Sequence, residues 1–447
     1  MKMRKFAPIV MVVLMLSIIL SGCSTGNSAS TGNSSSQTSS SKNGKVTITF
    51  WAAPNPTQVT YWKDMAKKFM AANPNIVVNV SPMKESPTSE ASIQAAIAGG
   101  NAPTASENIS RSFAAQLAQS KAIVPLDQMN GYNKIISERH MNNTIQGWKF
   151  TDGHQYVLPV YSNAMLFAWR IDILKKLGFN QPPKTYSQVL DLADKLKAKY
   201  PNKFLWASNT LVDPTAYQRW FDFFMLYDAA SNGNSFISGN SFVADDKAGT
   251  QVLDLMSQLQ KKNALLTSQS KNPFETGLGV FESLGPWSFS TWDSNFPSMQ
   301  LNKTYALSTP PVPDNYNSST VKTFADTKGI AIYSSAPKPE QQAALKFISW
   351  VFSNPENDLE LLKTTSLPPA RDDLESNSTF KSYFEAHPEM KPYAAEIPYA
   401  VPSIDNANYN NLQTLIGNDA FIPVVKGQTT PQNGWDKMKS DIKGALN

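Results

Sequence analysis

The chain of 447 residues carries one cysteine, Cys23, and three histidines, His140, His154 and His387, far apart in sequence. A lone thiol closes no disulfide within the chain, and imidazoles without ligand spacing mark no metal centre. No Gly-x-Ser-x-Gly elbow marks a serine nucleophile. The thirty-five Asp and Glu residues contain no motif that singles out a carboxylate pair for glycosidic cleavage. A Gly-rich loop or clustered Arg, which anion binding favours, does not stand out either. What is plentiful is aromatic: ten Trp, fifteen Tyr and twenty-three Phe. Most belong to cores, but so many Trp leave some to spare for a binding site.

Cys23 has a chemistry of its own. Lys2, Arg4 and Lys5 form a basic head, Ala7 to Leu20 is an almost continuous apolar run, and Leu20-Ser21-Gly22 brings small residues up to Cys23. That order describes an export signal, and the run is too short to span a bilayer comfortably. Leu-Ser-Gly-Cys resembles the bacterial lipobox, in which the cysteine thiol receives diacylglycerol and becomes the new N-terminus. Residues 24–43 are nearly all Ser, Thr, Asn, Gly and Gln, a composition that predicts a flexible tether. The expectation is a signal peptide over 1–22, then a lipidated Cys23 and tether over 23–44. This holds the body at the outer face of the cytoplasmic membrane. The basic head supplies three of the formal net +5 charges, so the body is near neutral, which argues against nucleic-acid binding and against a polybasic membrane surface.

About 400 residues remain, a length that suits two domains. Val46 to Phe50 alternates around β-branched residues and predicts a strand. Trp62, Met65, Ala66, Phe69 and Met70 share one helical face, Asn73-Pro74 stops that helix, and Ile76 to Val80 predicts a second strand. Strand, helix and strand make a βαβ unit and hence a parallel sheet. Further helices are expected over Ser92–Ala98, Phe113–Ser120, 170–177, Pro339–Phe352 and after Thr185. Further strands are expected at Tyr156–Pro159, Ala164–Trp169 and Gly329–Tyr333. The fold class is α/β without a short repeat.

Six segments in order resemble the maltose-binding-protein-like sugar receptors of ABC importers, the extracellular solute-binding proteins of family 1. They are Lys45 to Val80, Asp152-Gly-His-Gln-Tyr156 with Leu158-Pro159, Leu177-Gly178-Phe179 with Pro182-Pro-Lys-Thr-Tyr186, Phe281 to Trp287 ending Gly-Pro-Trp, Ser335 to Glu340 with Phe347, and Leu367-Pro-Pro-Ala-Arg371. Two departures lie close to the cleft of that family: Pro103 to Ile109 lacks its aliphatics, and Trp169-Arg170 replaces its Tyr-Asn. The resemblance implies two α/β lobes joined by a hinge, with a sugar held between them. The N-terminal lobe is expected over 45–160 plus about 320–373, and the C-terminal lobe over 161–319 plus about 374–447.

Sugar rings present an apolar face and a rim of hydroxyls, so a site needs aromatic plates and planar polar groups. Trp287 is implied as the plate of the second lobe. Trp51 and Asn55 stand beyond the first strand, where α/β ligands bind. Asn163 and Tyr161 lie at the crossing between lobes. Glu107, Asn108 and Arg111 follow the third strand, and Glu85 follows the second. In the second lobe Tyr217, Trp220, Trp206 and Asp213 are candidates; Asp326, Lys328, Tyr399 and Tyr409 complete the set. The expected role is a monomeric, non-enzymatic receptor without cofactor, which closes on an oligosaccharide of xylo, manno or malto type and delivers it to membrane permease subunits. Flat β-linked chains suit a row of plates. A receptor for a peptide or anion, and a surface glycosidase, are the competing classes.

Overall fold

The computed structural model describes residues 44–84, 88–212 and 217–446. Cys23, Glu85 and Asp213 lie outside the described residues. The first sheet begins with β1 (Val46–Ala52), β2 (Ile76–Pro82), β3 (Ala105–Ile109) and β4 (Leu158–Ala164). The chain then builds β5 (Leu166–Trp169), β6 (Phe204–Ala207), the small hairpin β7 (Ile237–Ser238) and β8 (Ser241–Phe242), β9 (Leu265–Leu266), β10 (Gly279–Leu284) and β11 (Ala306–Ser308). It returns through β12 (Thr323–Ile332) and β13 (Ala400–Pro402). The first sheet runs β13-β12-β3-β1-β2 with β4 on β12, and the second runs β11-β5-β10-β6-β9. Strand β1 is parallel to both β2 and β3, as the βαβ pattern predicts.

The first crossover helix shows how the sequence writes this layer. Asn55 caps Pro56–Ala72 by accepting from the Thr57 backbone N–H, Pro56 takes the first turn, and Asn73 before Pro74 ends it. Tyr61, Trp62, Met65, Ala66 and Phe69 are buried along one face. Trp62 packs on Phe50 at 4.6 Å and edge-on to Phe347 and Phe352 at 5.9 and 6.0 Å. Around it one core joins the segment from Ile48 to Tyr161 with Ile330 to Ala370. A second core spans Met165 to Phe281 and Ile404 to Leu446; a third packs Phe274, Phe289, Trp292 and Tyr305 against Leu374 to Ile397. The body is thus a two-lobed α/β fold.

Two strands, β4 and β12, run side by side between the lobes, and the chain crosses a third time between Ala370 of the first core and Leu374 of the third. The expected strand pieces Tyr156–Pro159 and Ala164–Trp169 are displaced: β4 takes in the expected gap at 160–163 and runs unbroken through the expected 160/161 boundary, and Met165 alone divides it from β5. Met165 is fixed on both sides, donating its N–H to the Phe324 carbonyl and accepting from Thr323 Oγ1. Phe324 belongs to the second core and Ile330 to Tyr333 to the first, so β12 itself passes between lobes. It bends at a register shift between Lys328 and Gly329. A Cβ on Gly329 would stand 2.4 Å from the Leu158 carbonyl oxygen, so only glycine allows that approach.

Candidate functional site

The candidate residues gather around these crossing strands. Trp51, near the carboxyl end of β1, pairs with Ser106 of β3, and Ile109 at the end of β3 pairs with Gly329 of β12. Trp51 is half-buried, and Asn55 is exposed while its carboxamide oxygen takes both the N–H and the hydroxyl of Thr57. Glu107 is fully buried and fastens the loop after β1: Oε2 accepts the Ala53 N–H and Oε1 accepts from Gln58 Nε2, each at 2.9 Å. Burial pushes its carboxyl up, and those two donors pull it back. With both oxygens engaged inside the lobe, Glu107 is a positioning group, which corrects the expectation that it meets hydroxyls.

Arg111 is committed elsewhere too. Its guanidinium donates to the carbonyls of Ser403 at 3.1 Å and Lys149 at 3.0 Å, lies 3.5 Å from Asp405, and sits over the Phe150 ring. Asp405 also accepts the N–H and hydroxyl of Thr151. Arg111 therefore ties the start of its helix, which packs in the first core, to the segment that follows β13 and leads into the second core. Tyr409 spans the same region, half-buried against both the first and second cores, its hydroxyl pushed up to about 12 by burial and by Glu90.

On the crossing strands, Asn163 pairs with Asp326 and Tyr161 with Lys328. Asp326 and Lys328 are 3.8 Å apart. Asn163 is 1 % exposed, and neither its Oδ1 nor its Nδ2 has a hydrogen-bond partner. An unmatched buried polar group costs about 1–3 kcal/mol, so this amide holds unused hydrogen-bonding capacity at the hinge.

In the second lobe, Leu284 of β10 pairs with Leu166, the first residue of β5 beyond Met165. Gly285-Pro286-Trp287 follow at once, and Trp287 starts the helix Ser288–Asn295 with its side chain 37 % exposed. The indole lies over Gly285, where a Cβ would come within 2.1 Å of the ring. Beneath it, Tyr393 donates to the Leu284 carbonyl at 2.9 Å and meets Phe289 edge-on. Trp287 and Tyr399 are the two large aromatics exposed among the described residues, and Lys322 Nζ stands 5.2 Å from the Tyr399 ring centroid. Trp206 is 2 % exposed and packs edge-on to Phe281 and Phe167. It is a core plate, which corrects its place among the candidates. Tyr217 opens the helix Tyr217–Ala230, but its side chain and that of Trp220 lie outside the described residues.

Sequence reading passed over two groups. Glu282 on β10 is pushed well up by burial and by Glu275 and Asp222, while Asp222 accepts from the Ser283 hydroxyl at 2.6 Å. Glu396 closes the helix Lys391–Glu396, just ahead of β13. Its carboxyl is pushed up to about 7 by burial, with Lys322 pulling it down and Glu375 pushing it up. A carboxyl whose folded pKa is raised contributes stability that is complete below its unfolded value, about 4.3, and lost as pH rises through about 7. Glu396→Gln should therefore flatten the fall in Tm between pH 5 and pH 8, read by scanning calorimetry. An unchanged slope would remove Glu396 as its source.

The family model of bacterial extracellular solute-binding proteins matches residues 64–392. Among solved structures, an uncharacterized protein from Listeria monocytogenes EGD-e is 53% identical with a TM-score of 0.88, over 90% of this chain and 100% of that one. A cyclic alpha-maltosyl-1,6-maltose binding protein from Arthrobacter globiformis shares 17% identity and a TM-score of 0.76, over 90% of this chain and 99% of that one. The Listeria monocytogenes substrate-binding protein solved in complex with cycloalternan shares 20% identity and a TM-score of 0.65, over 90% of this chain and 99% of that one. The last two likenesses concern the fold alone. With most of its length matched by the family model, and the expected two-lobed architecture in place, the chain belongs to the bacterial extracellular solute-binding proteins.

Proposed function

We propose that the protein is a lipid-anchored, non-enzymatic receptor that captures an oligosaccharide between its lobes and hands it to the permease of an ABC importer. The observation that carries this reading is the exposed indole of Trp287, set beside the crossing strands by a glycine that leaves room for the ring. An exposed flat apolar face on the second lobe and unused amide capacity at Asn163 on a crossing strand answer the two surfaces of a sugar, its C–H face and its hydroxyl rim. Trp51, Asp326, Tyr399 and Tyr409 stand near the same crossing and extend the candidate lining; Tyr217 and Glu85 remain assigned to it by resemblance. Two structural neighbours are named for cyclic alpha-maltosyl-1,6-maltose and cycloalternan, which puts the malto-type ahead of the xylo- and manno-types.

Closure follows from the connections. Narrow connections join two separately cored lobes, so one lobe rotates on the other by small changes at Met165 and Lys328–Gly329. A sugar that touches both lobes only in the closed state shifts the population toward it. Arg111 and Asp405, paired between the segment after β3 and the segment after β13, bias the same equilibrium.

The test is a thermal-shift panel of these sugars, with products checked by chromatography and small-angle scattering on the best ligand. Ligand at a hundred times Kd should add about 2.7 kcal/mol to stability and reduce the radius of gyration. No stabilisation by any sugar would remove the carbohydrate assignment. Released products would make the protein an enzyme, and binding without compaction would remove the closure mechanism.

A further inference from the structure

The near-neutral net charge predicts no polybasic surface, yet the fold gathers lysines at one pole of the C-terminal lobe. Lys175 and Lys176 end the helix Ile171–Lys176, Lys197 and Lys199 sit in the last turn of Tyr186–Lys199, and Lys203 precedes β6. Here the amino ends of β6 and β10 meet, Phe204 beside Gly279, so the patch lies at the opposite end of these strands from Trp287. Lys175, Lys176 and Lys199 are exposed; Lys197 and Lys203 are half-buried.

Four of the five ammonium groups turn to backbone carbonyls. Lys199 reaches the Lys176 carbonyl at 2.7 Å, Lys197 those of Pro201 at 2.6 Å and Lys203 at 3.1 Å, Lys203 that of Gly277, and Lys175 that of Asn302. Among the described residues none of the five has a carboxylate partner. Three acids nearby are paired with other cations, Asp172 with Arg170, Asp191 with Lys195 and Asp194 with Lys262, while Glu275 keeps its charge and accepts from the Trp292 indole N–H. Five like charges thus stand together with no carboxylate of their own, Lys203 sharing the field of Asp172 with Arg170, and an external polyanion relieves the repulsion. Between them lies a shallow hollow of about 430 Å³ lined by Tyr200, Pro201 and Leu278 as well as by Lys199 and Lys203.

We propose that this pole docks on anionic phospholipid headgroups. Ammonium groups on long apolar stems around an apolar floor match a bilayer surface, where phosphate lies just above glycerol and acyl carbon. The lipid-anchor reading of Cys23 places such a surface beside the body. Docking through this pole turns the sugar-binding end away from the bilayer, leaving it open for capture. The proposal rests on that membrane placement and not on the identity of the sugar.

The test uses the unacylated chain from residue 24, which keeps the whole compact body 43–447, so its outcome is independent of lipidation. Sedimentation with vesicles of phosphatidylcholine containing about 30 per cent phosphatidylglycerol should show binding that high salt abolishes, with none to phosphatidylcholine alone. The set Lys175→Gln, Lys176→Gln and Lys199→Gln changes only exposed side chains and should weaken that binding by about tenfold or more. The matched set Lys63→Gln, Lys67→Gln and Lys68→Gln, on the first helix of the other lobe, should bind as the parent does. Equal binding to both vesicle types, equal loss in both sets, or no loss in the patch set would overturn the proposal. Binding of a soluble glycerol-phosphate oligomer without binding to vesicles would overturn the lipid assignment.

Discussion

Trp287→Ala lowers affinity for the best sugar of the panel by at least about tenfold, equivalent to about 1.4 kcal/mol, in isothermal titration calorimetry. An aromatic platform contributes contact area plus about 0.5–1.5 kcal/mol from ring geometry. The fold loses little, because 37 % of this side chain faces solvent and helix Ser288–Asn295 keeps its own anchors, Phe289 and Trp292, in the third core. Gly285→Ala separates the presence of the indole from its placement. The added Cβ would stand 2.1 Å from the ring, so the indole must leave its seat although it is still there. Affinity should fall in the same direction, with the tryptophan count unchanged. Unchanged binding in Trp287→Ala would take this residue out of the site.

Much of the frame is legible in the sequence because its signals are local. The face from Trp62 to Phe69 and the stop at Asn73-Pro74 each act within a turn or two of helix, and the structure keeps both. The crossing is legible as two strand pieces; the single residue between them is not, because what fixes Met165 comes from Thr323 and Phe324, more than 150 positions away. Site residues are harder, since residue type does not tell which face of a strand meets solvent. Trp206 and Trp287 both look like sugar plates, yet Trp206 alternates inward against Phe281, whereas Trp287 follows a glycine past the strand end. Glu107 reads as a cleft acid on the expectation that it follows the third strand, whereas it lies within β3. Its partners are Ala53, after β1, and Gln58, in the first helix, and only the parallel pairing of β1 with β3 brings them to it. The abundance of tryptophan shrinks as an argument for many sugar rings, since Trp62, Trp148, Trp169, Trp206, Trp292 and Trp435 all lie in cores.

Asp358→Ala should produce the largest loss of stability, because it strands two buried guanidinium groups at once. Arg139 and Arg371 are 0 % and 1 % exposed, and Asp358 lies between them, 2.8 Å from Arg139 Nη2 and 3.0 Å from Arg371 Nη1. Arg371 retains Asp373, while Arg139 retains the carbonyls of Pro159 and Val160, the Met141 sulfur and the face of Phe352, none of them charged. Removing one partner of a buried ion pair costs about 3–5 kcal/mol, even where an apolar replacement of the whole group is neutral. Asp358→Asn, which keeps the volume, should fall between the parent and Asp358→Ala, and Arg139→Met with Asp358→Leu should recover part of the loss. The same variants report on the hinge. Arg139 grips the first residues of β4 and Ala370 bonds to Val160, so the triad holds the root of one crossing strand still while its far end turns at Met165. Sugar-induced compaction should therefore become less complete in Asp358→Ala at a temperature where it remains folded. Urea unfolding that leaves Asp358→Ala within about 1 kcal/mol of the parent would show that water or the carbonyls already satisfy both arginines, and that the root of β4 is held by the first core alone.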